Sequence, residues 1–292
     1  MIELIVSDMD GTLLDENMDI PQANIDAIMH TYNKGIPFVV CTGRNFTEAK
    51  VKLDEAGIRC PIIGLNGSIL FDRNGKVEYE VDIDDQTALD ILDKGYKAGF
   101  YMEAMTSKNV YSSSLEQRIL AITELIHEMN PEMSLEEART RATQSNEVTT
   151  IDYRVDLRTL ITEEGQPIIK ITFVDADPEN TIKPLAAELG DKYPDTHITS
   201  SFKYNIEINH ADGTKGKAVE KYCQDHGYNI NNVVAVGDNF NDVSMLKVAG
   251  YSFAMANAEP EVKSYAKYET TSNYDGGVAN AIYQSLKMAE ND

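Results

Sequence analysis

The first 65 or so residues alternate between strand and helix periods, and that alternation narrows the choice of fold more than any other feature. Ile2, Leu4, Ile5 and Val6 make a short, nearly unbroken apolar run, the pattern of a strand buried on both faces of a parallel sheet. A helical pattern through Ile25, Ile28, Met29 and Tyr32 stops at Gly35, residues 37–41 read as a second strand, a helix over 46–56 ends at Gly57, and 61–65 read as a third strand. Strand, helix, strand, helix, strand implies right-handed crossovers and a parallel sheet.

After Gly67 the texture changes. Residues 69–71 and 77–81 flank an Asp72-Arg73-Asn74-Gly75 turn and suggest a hairpin. Helices are expected over 84–99, 115–129 and, from the Ser134/Glu137 capping box, beyond 134; strands over 100–105, 110–113 and 168–174. A helix over 178–189 and a hairpin of 198–201 with 204–208 complete this stretch. The first pattern then resumes with a helix over 217–223, a buried strand over 233–236, a strand over 251–255 and helices from Pro260 and Val278. The fold class expected is α/β: a doubly wound, mostly parallel sheet from residues 1–82 and 211–292, with an α+β domain, residues 83–210, inserted into it.

The chemistry gathers where strands end, the edge at which open α/β sheets build their sites. The first strand runs into Asp8-Met9-Asp10-Gly11-Thr12, the second into Thr42, a later helix start carries Lys215, and the strand at 233–236 runs into Asp238, Asn241 and Asp242. In extended backbone Asp8 and Asp10 point the same way, and two such carboxylates repel unless a cation intervenes. Each residue has an ordinary alternative: Thr42 as a helix cap, Lys215 as a surface lysine, Asp238 and Asp242 as loop-forming acids. Their order and placement together fit phosphoryl transfer to an aspartate. Asp8 would attack phosphorus, Asp10 with a raised pKa would act as general acid and base, Thr42 would donate to a phosphate oxygen, and Lys215 would neutralise charge. Asp8, Asp238 and the Asp10 carbonyl form a hard oxygen set suited to Mg²⁺. Four acids against Lys215 leave about three negative charges before a phosphate arrives, so a divalent ion is required.

Bulk properties agree. A chain of 292 residues with 42% hydrophobic and 25% charged residues can build a sizeable core, and its net charge of -22 argues against a nucleic-acid face or an anionic membrane surface. No stretch approaches the ~20 apolar residues of a span, and the start lacks a signal peptide's pattern. Cys41, Cys60 and Cys223 show no metal spacing and read as buried thiols of a cytoplasmic protein.

The segments DMDGT, CTGR, GTKGKA and GDNFND resemble, in order, the four signatures of the haloacid dehalogenase superfamily of phosphohydrolases. The insertion after the third strand, Asn66-Gly67, Met245 and Asp275-Gly276-Gly277-Val278 resemble its Cof-type branch, whose core is Rossmann-like and whose caps are α+β. The resemblance implies Asp8 as nucleophile, Asp10 as acid/base, and Asp8, Asp10 and Asp238 as magnesium ligands, with Asp242 an additional ligand or a support behind them. It implies phosphate binding by Thr42, Gly43, Lys215 and Asn241, and places Arg44, Asn66 and Gly67 at the substrate cleft. The function expected is Mg²⁺-dependent hydrolysis of a small phosphorylated metabolite such as a sugar phosphate; a phosphomutase or a phospho-aspartate switch are the alternatives. In the inserted region Tyr101, Glu103, Tyr111 and Tyr153 are conceivable substrate contacts, although packing is the commoner fate of such residues.

Overall fold

The computed structural model describes residues 1–175, 177, 179–200 and 204–290. In chain order its strands are β1 (Leu4–Ser7), β2 (Phe38–Cys41), β3 (Ile62–Gly64), β4 (Ile69–Phe71) and β5 (Val77–Glu80); β6 (Tyr101–Met105), β7 (Val110–Ser112) and β8 (Asp152–Tyr153); β9 (Lys170–Val174), β10 (Thr196–Thr199) and β11 (Asn205–His210); and β12 (Val233–Gly237), β13 (Tyr251–Ala254) and β14 (Tyr268–Glu269). The chain falls into two compact units, Met1–Glu80 with Gly213–Asp292, and Val81–Asp212.

The first unit holds a sheet in the order β14-β13-β12-β1-β2-β3-β4-β5, parallel from β14 to β3 and antiparallel through the β4–β5 hairpin. Alternation along each strand sends side chains to opposite faces, and both faces are apolar. Ile5, Phe38, Val40, Val234 and Val236 pack beneath helices Gln22–Asn33, Phe46–Glu55 and Gly277–Ala289. Leu4, Val6, Val39, Cys41, Val233 and Ala235 pack beneath Lys215–His226 and Val243–Val248. Each such aliphatic side chain, fully buried, contributes about 1.5–3 kcal/mol. This is a doubly wound α/β sheet. Its register sets Ser7 beside both Val40 and Val236, so the residues following β1, β2 and β12 leave the sheet side by side.

The second unit holds a sheet in the order β10-β11-β9-β6-β7-β8, antiparallel except where β7 meets β8. One face packs Met102, Ile171, Phe173 and Ile208 against Ala88, Ile91, Leu92 and Leu189 of helices Asp85–Ala98 and Ile182–Lys192. The Ser134 capping box forms with Glu137 as its sequence implies.

Differences from the sequence reading are local. The two-residue strands β8 and β14 are too short to carry a periodic signal. The apolar period marks this helix only from residue 217, but it starts at Lys215, the helix start also read from the sequence, with Thr214 as its cap. The helix expected over 178–189 is described as Ile182–Lys192, and the strand expected over 198–201 as Thr196–Thr199; Pro178 and Ser201 lie outside the described residues. Cys41, Cys60 and Cys223 are free and buried. No described helix is long and apolar enough to cross a membrane.

Candidate active site

Asp8 leaves β1 with its amide donating to the Val236 carbonyl, and the residue is buried at 4% exposure. The chain then turns tightly through Met9–Leu13, with Gly11 at φ +72°. A Cβ on Gly11 would lie 2.4 Å from Asp238 Oδ2, so only glycine lets the loop pass this close to Asp238. Thr12 Oγ1 donates to Asp238 Oδ1 at 2.8 Å, and Asn257 Nδ2 donates to the Gly11 carbonyl at 2.8 Å. Neither Thr12 nor Asn257 was given a role by sequence reasoning. Thr12 carries a signal, as the last residue of DMDGT; Asn257, in a distant loop, carries none.

Lys215 is the centre of the charge arrangement. It opens its helix fully buried, with Nζ 2.6 Å from Asp8 Oδ1 and 2.5 Å from Asp242 Oδ1. The second oxygen of Asp242 accepts from the Asp238 and Asn239 amides at 2.9 and 3.0 Å, so both its oxygens are committed within the protein. Asp242 therefore acts as a brace for Lys215 and the Asp238 loop. Burial pulls the Lys215 ammonium towards deprotonation, but Asp242 and Asp8 more than offset this and hold it firmly charged. Burial, with Asp242 adding repulsion, pushes the Asp8 carboxyl well above the usual carboxylate range, against the opposing pull of Lys215. Burial and Asp242 likewise push Asp238 up to about 7.

Asp10 differs from the arrangement its spacing suggests. Its side chain is 49% exposed, and both its oxygens accept from Arg44, from Nε at 2.8 Å and from the terminal nitrogen at 2.6 Å. The spacing argument put it among carboxylates, and it does repel Asp8 and Asp238; the fold also places the end of β2 alongside and supplies a guanidinium. The formal charge of the site changes accordingly. Asp8, Asp10, Asp238 and Asp242 face Lys215 and Arg44, leaving two negative charges rather than three.

Thr42 is fully buried after β2, with its amide donating to the Ile63 carbonyl and its hydroxyl accepting from the Arg44 amide, while Gly43 lies between the two. Asn66 stands buried at φ +62° after β3, its amide donating to the Thr42 carbonyl. Its Oδ1 accepts from Asn241 Nδ2 at 3.2 Å. Asn241 Oδ1 is buried and has no partner. Gly67, at φ +103°, lies against the start of the Lys215 helix, where a Cβ would come within 2.3 Å of the Thr214 carbonyl. The strand ends thus bring together Asp8, Asp10, Thr42, Arg44, Asn66, Gly67, Lys215, Asp238, Asn241 and Asp242.

Among the described residues, carboxylate oxygens of Asp8, Asp238 and Asp242 lie within 4.8 Å of one another. The set fits a hard divalent cation: the donors are oxygens, Asp8 and Asp238 carry charge that burial leaves poorly compensated, and Asn241 offers an unsatisfied oxygen. The Asp10 carboxylate is outside this group.

Comparison with known proteins first gives the class. Phosphatase YwpJ of Bacillus subtilis is 27% identical over 98% of this chain and 100% of its own length. The 5-amino-6-(5-phospho-D-ribitylamino)uracil phosphatase YwtE of the same organism is 30% identical over 98% of each. A solved haloacid dehalogenase-like hydrolase from B. subtilis superposes with a TM-score of 0.86 at 27% identity, covering 97% of this chain and 99% of that one. The sequence profile of the haloacid dehalogenase-like hydrolases matches residues 5–282. The chain belongs to this family, as a phosphatase of its Cof-type branch. Its reaction class is phosphoric monoester hydrolysis.

Proposed function

We propose that this chain is a Mg²⁺-dependent phosphatase of small phosphorylated metabolites that works through a phosphoryl group carried on Asp8. The observation that carries the reading is the buried Lys215 ammonium held between Asp8 and Asp242, with Asp238 in the same cluster. A surface acid cluster has no use for a fully buried lysine, whereas a nucleophilic carboxylate that must approach a phosphate dianion does.

Asp8 attacks phosphorus, forming the Asp8–phosphorus bond as the ester oxygen departs. Asp10 gives that oxygen its proton, then takes one from the water that attacks phosphorus, so that phosphate leaves and Asp8 is restored. Both Asp10 oxygens are engaged by Arg44, so the proton can sit on Asp10 only when that contact opens. Lys215 holds Asp8 in line and neutralises the transferring group, with the Thr42 hydroxyl, the Gly43 amide and Asn241 as donors to its oxygens. Asp8, Asp238 and the Asp10 carbonyl would hold Mg²⁺, which when bound supplies charge neutralisation of the phosphoryl oxygens. Asp242 supports this set through Lys215 and the Asp238 amide. Arg44, Asn66 and Gly67 shape the approach of the substrate.

The named substrate of YwtE, a phosphorylated ribityl compound, indicates the size of ester that fits this reading. The free, buried thiols suit a cytoplasmic setting. The test is phosphate release from p-nitrophenyl phosphate with Mg²⁺, with EDTA, and in the Asp8→Asn variant. Turnover by wild type with Mg²⁺ alone is expected. Undiminished turnover by Asp8→Asn would end the proposal.

A further inference from the structure

The first unit has a second concavity, at the edge of its sheet opposite the acids. It lies where β3 begins and β4 ends, since Ile62 pairs with Phe71, whereas Asn66 and the groups around Asp8 follow the other ends of the parallel strands. The cavity measures about 420 Å³, within the range of small-molecule sites, and is walled by helix Phe46–Glu55, the chain entering β3 and the β4–β5 turn. Part of its lining is apolar. Leu53, Ile58 and Ile62 are buried there, and Phe46 is held against Phe71 with ring centroids 4.7 Å apart.

The rest of the lining runs against the charge of the chain. With 48 acids to 26 bases, a cation in this protein seldom lacks a carboxylate: among the described residues Arg44, Arg118, Arg139, Arg154 and Arg158 each meet one. Arg59 and Arg73 both line the cavity, and the guanidinium of neither has an ion pair or a hydrogen bond. The acid next to Arg73 in the chain, Asp72, turns its Oδ1 to the Asn74 and Lys76 amides at 2.8 and 2.9 Å. The only acid in the lining, Asp54, is held by Lys50 one helical turn away. Three cations thus stand against one carboxylate, a surplus of two positive charges. The two arginines also act on the same wall. Tyr32 donates its hydroxyl to the Arg59 carbonyl at 3.2 Å, and Arg73 opposes the burial that raises both this hydroxyl and the Cys60 thiol. A guanidinium presents a planar fork of donors that matches phosphate and carboxylate oxygens.

We propose that this cavity binds a small organic dianion, its charges on Arg59 and Arg73 and its apolar body against Phe46, Leu53 and Ile58. A phosphate-type group and a pair of carboxylates supply the same chemistry, and the experiment tells them apart. The inference does not depend on the phosphatase reading, because it uses none of the residues at the strand ends.

The test is calorimetric titration of the full chain with phenylphosphonate, benzene-1,3-dicarboxylate, benzyl alcohol and inorganic phosphate, at low salt and in EDTA. Without a divalent ion the carboxylates around Asp8 repel anions, so the first site stays silent. Wild type should bind at least one of the two aromatic dianions at a single site, with Kd rising as salt is added, and should not bind benzyl alcohol. Phenylphosphonate alone would mark the ligand as a phosphate compound, the dicarboxylate alone as a carboxylate, and either supports the site. Arg59→Gln and Arg73→Gln should each weaken binding about tenfold, as for one lost charge-assisted contact, and the double variant should not bind. Both guanidinium groups lack protein partners, so the melting temperatures of the variants should match wild type. Binding of neither dianion by wild type overturns the proposal. So does undiminished binding by the double variant, or binding of inorganic phosphate as tight as that of phenylphosphonate, which would leave the apolar lining without a part.

Discussion

Lys215 and Arg44 are both basic residues against acids, and their surroundings give them opposite energetic weight. Lys215 and its two carboxylates are sealed from water, so removing the ammonium strands Asp8 and Asp242 as uncompensated buried charge. Lys215→Met is expected to abolish turnover and to cost about 3–5 kcal/mol at neutral pH, less in acid, where the buried Asp8 carboxyl protonates. Denaturant unfolding at two pH values checks this, and a pH-independent loss would contradict it. Arg44 meets an acid that is half exposed, where an ion pair contributes about 0–1 kcal/mol. Arg44→Met should leave stability nearly unchanged. Because Asp10 then loses the two hydrogen bonds that Arg44 gives its carboxylate, kcat should fall about 10- to 100-fold, the scale of a misplaced catalytic group. Steady-state kinetics beside a melting curve separate the two effects.

At the scale of elements, the site depends on how closely four strand ends and one helix start approach. The turn after β3 passes Gly67 against the Thr214 carbonyl with no room for a side chain, and this contact sets where the Lys215 helix begins. Gly67→Ala meets both a left-handed φ and a backbone clash, and the helix start must give way. The expected result is a loss of about 1–3 kcal/mol with a fall in kcat, because Nζ can no longer reach Asp8 and Asp242 together. Wild-type kinetics in this variant would show that the helix start tolerates displacement. The neighbouring β2 end contributes Thr42 and Arg44 in one turn, so a shift of one strand would alter phosphate binding and the acid/base group together.

For the molecule as a whole, the excess of negative charge makes stability depend on protons and cations together. Asp238 titrates near 7 in the folded protein against an ordinary value of 3.8, so the native state keeps a proton that the unfolded chain has already released. Metal-free protein should therefore lose stability as pH rises from about 4 to about 7. A divalent cation competes with that proton. Mg²⁺ should raise the melting temperature more at about pH 8 than at about pH 5, and EDTA should reverse the gain. Equal stabilisation at both pH values would mean that the ion binds away from Asp238.

The strand–helix alternation and the residues at the strand ends were legible in the sequence because both are local: a side-chain period announces a strand, and the next few residues show what its end carries. Asp8, Thr42 and Asp238 could be singled out on that basis, and Lys215 as the residue at a helix start. What each touches was not legible. Asp8 and Lys215 are 207 residues apart, Asp10 and Arg44 are 34 apart, and only the order β12-β1-β2 makes them neighbours. Spacing put Asp10 near the other acids, where it does act on Asp8 and Asp238, but could not show the guanidinium that the sheet also gives it. The resemblance left Asp242 as an additional metal ligand or a support behind the ligands, and only the fold shows both its oxygens accepting from Lys215 and two amides. Hydrophobic period acts along the chain and is written in it, whereas charge and hydrogen bonding act through space and are settled only when the strands find their neighbours.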